Sequence, residues 1–252
     1  MSKFYALLCF CLLCLFTSGT GADSTDEYCQ MIRKARPNNN ANYLVLIDTS
    51  YKDTKPNKKL LVKGLVRIHE RLNVFDRLTV KTMDVTGTDG TLLFDRCLPA
   101  CLDPTVLDDW GLGDCDTMQV KKDELNFKRG LLTRSVNSVG NPTLKNINPD
   151  LIRTLSNASK NYPNHRNVTL FSYMIHQDTK HRPRTADDFD SLFFDVVTNS
   201  KVPNLDDRLV IIFGIPVNDA PKHVDLLELR QFWEDIFHLA GSQLLAFGRL
   251  YK

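Results

Sequence analysis

The stretch Tyr43-Leu-Val-Leu-Ile47 limits the possible folds more than any other part of the chain. It is a short apolar run with β-branched members, and Asp48-Thr-Ser50 follows at once. Such a run reads as a strand buried on both faces, and strands of that kind belong to mostly parallel sheets covered by helices. Open sheets of this class bind ligands outside the carboxyl ends of their strands, which is where Asp48 falls.

The rest of the chain supplies what such a sheet needs. Leu61, Leu65, Ile68 and Leu72 define one face of a helix over Lys58–Leu72, with His69 beside that face as a partly buried structural residue. Arg77–Val85 alternates as a strand, and Thr91–Phe94 pairs back after the turn Thr86–Gly90. Arg96–Met118 has no periodicity and reads as a long loop. A helix is expected over Lys121–Val136. Another starts at Asn148-Pro149-Asp150, with Asn148 as cap, and runs to Asn161. Asn167–Ile175 is a buried strand, His176–Asp190 a polar loop, and Ser191–Thr198 a short element of unassigned type. Arg208–Ile215 is a strand, His223–Ala240 a helix closed by Gly241, and Leu244–Phe247 the last strand. Strands separated by helices predict an α/β fold: a mostly parallel central sheet with helices on both faces, Rossmann-like.

The length of 252 residues and 42% hydrophobic content suit one domain with a substantial core. A net charge of +2 gives no sign of nucleic acid or of an acidic substrate. The basic residues of Lys55–Lys63 and Lys121–Lys128 read as solvated helix faces. Lys3, the apolar run Phe4–Phe16 and the small or polar residues Thr17–Ala22 have the layout of an export signal. Cleavage after Ala22 is expected, an uncleaved anchor being the alternative. Residues 1–22 are thus a signal peptide, 23–42 an arm and linker, and 43–252 the folded domain, placed in the periplasm or secreted. No later segment is apolar enough to span a membrane.

Export removes Cys9, Cys11 and Cys14 and leaves Cys29, Cys97, Cys101 and Cys115, an even set that reads as two disulfides. Three connectivities are open, and each ties Cys29 to the Cys97–Cys115 region. A four-cysteine zinc site is the competing reading, disfavoured by the spacing and by the oxidising compartment. The acidic residues around Trp110 lack the order of a calcium loop.

Catalytic signatures are missing. There is no nucleophile elbow, phosphate loop, dinucleotide fingerprint or H-E-x-x-H. His176 and His181 offer a weak metal pair in a loop. Asp48 as a phosphatase nucleophile would want a second carboxylate where Ser50 stands.

Leu44-Val-Leu-Ile-Asp48-Thr-Ser50, the amphipathic helix after it and the ending Phe232-Trp233…Ala240-Gly241-Ser-Gln-Leu-Leu resemble a von Willebrand factor type A-like domain, over about Asn42–Leu250. The resemblance implies a domain that binds a partner protein through Mg²⁺ or Mn²⁺ held by Asp-x-Ser-x-Ser, a middle-loop Thr and a later Asp. Asp48 and Ser50 match the first two positions. Lys52 stands where the second Ser belongs, Tyr173 where the Asp belongs, and Thr143 or Asn148 in the middle loop. The adhesion site is therefore degenerate, and cofactors are expected to be none. A buried Asp48 without a cation is costly. The Lys52 ammonium at ~4 Å would recover on the order of 4 kcal/mol at an effective dielectric of about 20. The alternative has Asp48 capping a turn with Lys52 in solvent.

The function expected is an exported, non-enzymatic protein-binding module for adhesion or assembly, using Asp48, Ser50, Lys52 and Tyr173. A secreted Asp48-dependent hydrolase and a structural component of a surface assembly are the alternatives. Asn157-Ala-Ser159 and Asn167-Val-Thr169 match the glycosylation triplet, and Phe232 is a minor candidate for a contact surface.

Overall fold

β1 (Asn42–Asp48) has a parallel neighbour on each side, β2 (Arg77–Met83) and β4 (Asn167–Phe171), and its last five residues are buried. The computed structural model describes residues 33, 40–49, 54–84, 86–88, 90–101, 115–139, 149–177, 181, 183–214 and 224–248. β5 (Leu209–Phe213) and β6 (Gln243–Gly248) extend the parallel set beyond β4, and β3 (Leu92–Cys97) runs antiparallel to β2. The strand order is β3-β2-β1-β4-β5-β6. The fold is α/β, with a six-stranded, mostly parallel sheet of Rossmann-like kind and helices around it.

Register assigns the helices to faces. Val45 is level with Val80, and Val80 with Phe94. Phe94 meets Phe127 edge to face at 4.8 Å, which puts α2 (Thr117–Ser138) on that side. Ile47, Phe171 and Phe213 share the same side, and Gly64 of α1 (Lys55–Arg71) sits over the two rings. The opposite side carries Leu44, Leu46, Val168, Leu170, Val210 and Ile212, all almost wholly buried. It also carries Lys81, whose ammonium lies 5.2 Å above the Tyr162 ring at the end of α3 (Leu151–Asn161). β1→β2 and β4→β5→β6 move in opposite directions across the sheet. Right-handed crossovers therefore send α4 (Ala186–Thr198) and α5 (Leu226–Leu239) to the face opposite α1. The molecule is layered as α1–α2, sheet, α3–α4–α5.

Several elements begin earlier than hydrophobic periodicity predicts, because caps set their starts. Thr54 accepts from the Asn57 amide and Pro56 occupies the first turn, so α1 starts at Lys55 and not Lys58. Asp116 caps α2. The expected Asn148 cap is displaced: the Asp150 carboxylate accepts from the Arg153 amide, and α3 begins at Leu151. A Thr185–Asp188 capping box opens α4 inside what reads as polar loop. α5 ends as expected, with Gly241 in the left-handed region at φ +75° and the Asp206 carboxylate where a side chain would go. β3 reaches Cys97, so that cysteine belongs to the sheet and not to the loop. Phe232 is buried against Phe189 and Trp233, which removes it as a contact surface. Asn157 donates to the Gly87 carbonyl and Asn167 is half-buried in β4, so both triplets are tied into the fold. His69 packs on Phe127 at 5.8 Å, and burial lowers its pKa, as suits a structural residue.

Cys101 and Cys115 are joined, with Cα atoms 5.6 Å apart, and Cys97 is also disulfide-bonded. Cys29 lies outside the described residues. The Cys101–Cys115 bridge closes a loop of 14 residues before α2, worth about 3 kcal/mol in the chain-entropy picture.

α1 packs closely on the sheet at Gly64. A Cβ there would lie 2.5 Å from Phe171 Cε1 and 2.6 Å from Cζ. Gly64→Val is expected to cost about 1–3 kcal/mol in urea melts through overpacking. Phe171→Leu in the same chain should recover part of that loss, a non-additivity that only direct contact produces.

Candidate functional site

β1 and β4 are neighbours, yet β1 leads to β2 on one side and β4 to β5 on the other. Their carboxyl ends therefore flank a topological switch point, the crevice where sheets of this class hold ligands. Asp48 ends β1 there and is only 2% exposed. The Ser172 hydroxyl, the first group after β4, donates to Asp48 Oδ2 at 2.7 Å, and Ser172 is fully buried. The Met174 amide donates to the same Ser172 oxygen at 2.9 Å. Met174 adopts φ +58°, a region that costs a residue with a side chain roughly 1–2 kcal/mol. Its carbonyl accepts from Trp233 Nε1 of α5 at 2.7 Å. One continuous chain of bonds thus runs from β1 through the post-β4 turn to α5. On the other flank, Asn57 Nδ2, in the first turn of α1, donates to the Tyr173 hydroxyl at 2.9 Å, and both residues are buried.

Asp48 and Tyr173, chosen from sequence, are thus brought to the same end of the sheet. Ser50, Lys52, Thr143 and Asn148 lie outside the described residues. Asp48 and Tyr173 are held inside the protein and present little surface of their own. The described residues do not by themselves make the metal site that the resemblance implies. Tyr173 brings no carboxylate and its hydroxyl is bonded to Asn57, while Asp48 Oδ2 is bonded to Ser172. Among the described residues no three His, Cys, Asp or Glu side chains converge on a metal-sized point. Mg²⁺ needs a near-octahedral set of hard oxygens.

The expected strand Asn167–Ile175 stops at Phe171. Met174 and Ile175 are buried, which is why they read as strand, but they lie beyond the Ser172 turn. His176 is likewise buried, not part of a polar loop. Its Nδ1 accepts from the Leu151 amide at 3.2 Å, with Asp150 Oδ1 3.8 Å away, so it serves the start of α3. Ser172, Asn57 and Trp233 escaped the sequence reading. The signal for Ser172 was present: a polar residue directly after an apolar run, as Asp48 is after β1. Asn57 and Trp233 carried none, since each acts on a residue far away in sequence.

The amino end of the sheet holds a second polar cluster. Arg77 forks onto Asp95 through two bonds of 2.7 Å. The Thr79 hydroxyl donates to Asp95 at 2.9 Å and so accepts from His165 Nε2, 3.1 Å away, which fixes the neutral tautomer with hydrogen on Nε2. Arg208 donates to the Ser159 and Tyr162 carbonyls, and Arg33 to the Phe75 carbonyl. Burial, joined by Arg208, Arg77 and Arg33 and opposed by Asp95, pushes His165 down to about 4. Burial alone would raise Asp95, but the bonds and charge of Arg77, with the Thr79 hydroxyl, hold it below the ordinary carboxylate range. Arg77, Asp95, Thr79 and His165 are bonded to one another, and Arg208 and Arg33 to backbone carbonyls, so this end is a structural joint.

Two outcomes follow. Ser172→Ala is expected to lower stability by about 1.5–3 kcal/mol in denaturant melts, since Asp48 loses a buried bond to a carboxylate. Ser172→Thr, which keeps the hydroxyl, should lose less. At the amino end, His165 titrates lower folded than unfolded, so its stabilisation is complete above pH 6.5 and drains away as pH falls towards 4. The loss is on the order of 3 kcal/mol, with His69 adding in the same sense and Asp95 taking over below that range. Urea midpoints measured from pH 7.5 to 4 should fall for the native protein and fall less steeply for His165→Gln.

Compared with known proteins, the chain matches no family model, and no curated protein is similar to it.

Proposed function

We propose that this chain is an exported, non-enzymatic protein-binding module of von Willebrand type A-like kind. It meets its partner at the carboxyl end of the sheet, without a working metal site. The observation that carries the reading is the Asp48–Ser172 bond at the switch point between β1 and β4. A carboxylate stands where the resemblance puts the first metal ligand, and a serine hydroxyl binds it in place of an ion. The strand order, with its single antiparallel edge strand β3, supports the same reading. So does Lys52 in the third motif position, which brings a positive charge in the sequence where the family motif brings an oxygen.

On this reading Asp48 and Tyr173 act from inside. They hold the post-β4 turn and the start of α1, and residues that follow β1 in the sequence, Ser50 and Lys52 among them, make the contact. The burial of Asp48 counts against a hydrolase using it as nucleophile or base, because a reacting carboxylate has to touch its substrate.

Thermal melting in EDTA and in millimolar Mg²⁺ or Mn²⁺ tests the metal-free site. The expected result is one melting temperature throughout. An ion at about 100 times its dissociation constant would add roughly 2.7 kcal/mol, and such a rise would overturn the proposal. For the partner, native-compartment pull-downs with wild type and Asp48→Asn, both shown folded by circular dichroism, should differ in what they retain. Equal recovery would move the contact elsewhere.

A further inference from the structure

The net charge of +2 conceals a strong separation by layer. α1 carries six Lys or Arg against Glu70, and α2 carries five against Asp123 and Glu124. The register places these two helices side by side on one face, so that layer holds a formal charge of +8. On the opposite face α4 has four Asp and no basic residue, and α5 has three acids against Arg230. Those two helices hold −6, and Arg153 and Lys160 of α3 bring the three helices of that layer to −4. Some of the acids are internally matched: Lys201 bonds Asp195, and Arg230 bonds Glu234. Asp187 and Asp190 are exposed on α4, as Lys63 and Lys122 are on α1 and α2.

Both layers also expose large apolar side chains. Met118 and Leu125 of α2 are 76% and 56% exposed; Phe194 of α4 and Leu227 of α5 are 69% and 78% exposed. Charge of opposite sign with apolar residues set among it is the composition of a protein–protein contact, the charges giving orientation and the apolar groups the buried area.

We propose that the α1–α2 face of one copy docks on the α4–α5 face of a second copy. The charge complementarity is the ground for naming a second copy: each chain carries both halves of the match, on opposite sides of one sheet. A nucleic acid or an anionic lipid surface would use the basic layer alone and would leave Phe194 and Leu227 without a role. The contact is heterologous, head to tail, so repetition builds a chain of copies or, where the rotation closes, a ring. This surface is separate from the loops at the carboxyl end of the sheet, so its fate and that of the partner-binding site are decided by different measurements.

The test is sedimentation velocity of the full chain across concentration and salt. Association is expected at about 50 mM NaCl and its loss near 0.5 M, where the Debye length falls to a few ångströms. Two charge-reversed variants give the decisive result. Lys63→Glu with Lys122→Glu reverses the basic layer, and Asp187→Lys with Asp190→Lys reverses the acidic one. Each variant alone should associate at least roughly tenfold more weakly than wild type, and an equimolar mixture should recover association, because one then offers acid where the other offers base. All four positions are exposed, and unchanged circular dichroism melts verify folding. A wild type that stays monomeric at about 100 μM in 50 mM salt, or a mixture that fails to recover association, would overturn the proposal. So would a monomeric wild type that binds phosphatidylglycerol vesicles or duplex DNA through the basic layer, since an anionic surface would then be the occupant.

Discussion

A carboxylate at the end of a doubly buried strand sets the course of the chain around it. β1 is paired on both sides and covered on both faces, so Asp48 has no route to solvent along the sheet. An unsatisfied carboxylate there would cost several kcal/mol. β4 ends beside it, and its first residue beyond the strand, Ser172, supplies the hydroxyl. For Ser172 to serve Asp48 and also accept from the Met174 amide, the backbone must turn immediately after Phe171. That turn forces Met174 into the left-handed region. The strain is held by what surrounds it: Met174 is wholly buried, and its carbonyl is fixed by the Trp233 indole.

The consequence is a preorganised sheet end. α1 is tied to the turn through Asn57 and Tyr173, and α5 through Trp233, so helices on both faces of the sheet report to the same turn, Ser172–Met174. An end held this firmly suits the display of loops to a partner, since little ordering entropy remains to be lost in the supporting residues. The amino end is also held, but by other means. Its network of Arg77, Asp95, Thr79 and His165 is bonded within itself, and its chemistry shows as acid sensitivity of the fold.

How far the sequence reveals this depends on the range of the interaction involved. The strands were legible because burial on two faces leaves a continuous apolar run, as in Leu44–Ile47 and Val210–Phe213, whatever lies far away. The helices α1 and α5 were legible from their stripes. Their starts, and those of α2, α3 and α4, shifted because caps such as Thr54, Asp116 and Asp150 act locally through one oxygen and leave no periodic trace. β4 was read too long for a related reason: Met174 and Ile175 are apolar because the turn is buried, and apolarity alone does not separate a strand from a buried turn. Asp48 was legible by position, directly after a buried run. Its partner was not, because Ser172 is 124 residues away and only the pairing of β1 with β4 joins them.

Charge separation is hidden in the same way and for a topological reason. Along the chain, α1 and α2 come first and α4 and α5 last, but the segments between them carry the opposite charges, so neither half of the sequence shows the separation. The strand order sorts the helices by face. Building begins at β1 and moves outward to β2 and β3, then returns to β4 and moves outward the other way. Because crossovers keep one hand, reversing the direction of travel reverses the face on which helices are laid down. A difference between early and late helices thereby becomes a difference between two faces of a sheet. A net charge close to neutral, which argues against a charged ligand for a chain without known topology, is therefore compatible with a molecule whose two outer layers attract one another in neighbouring copies.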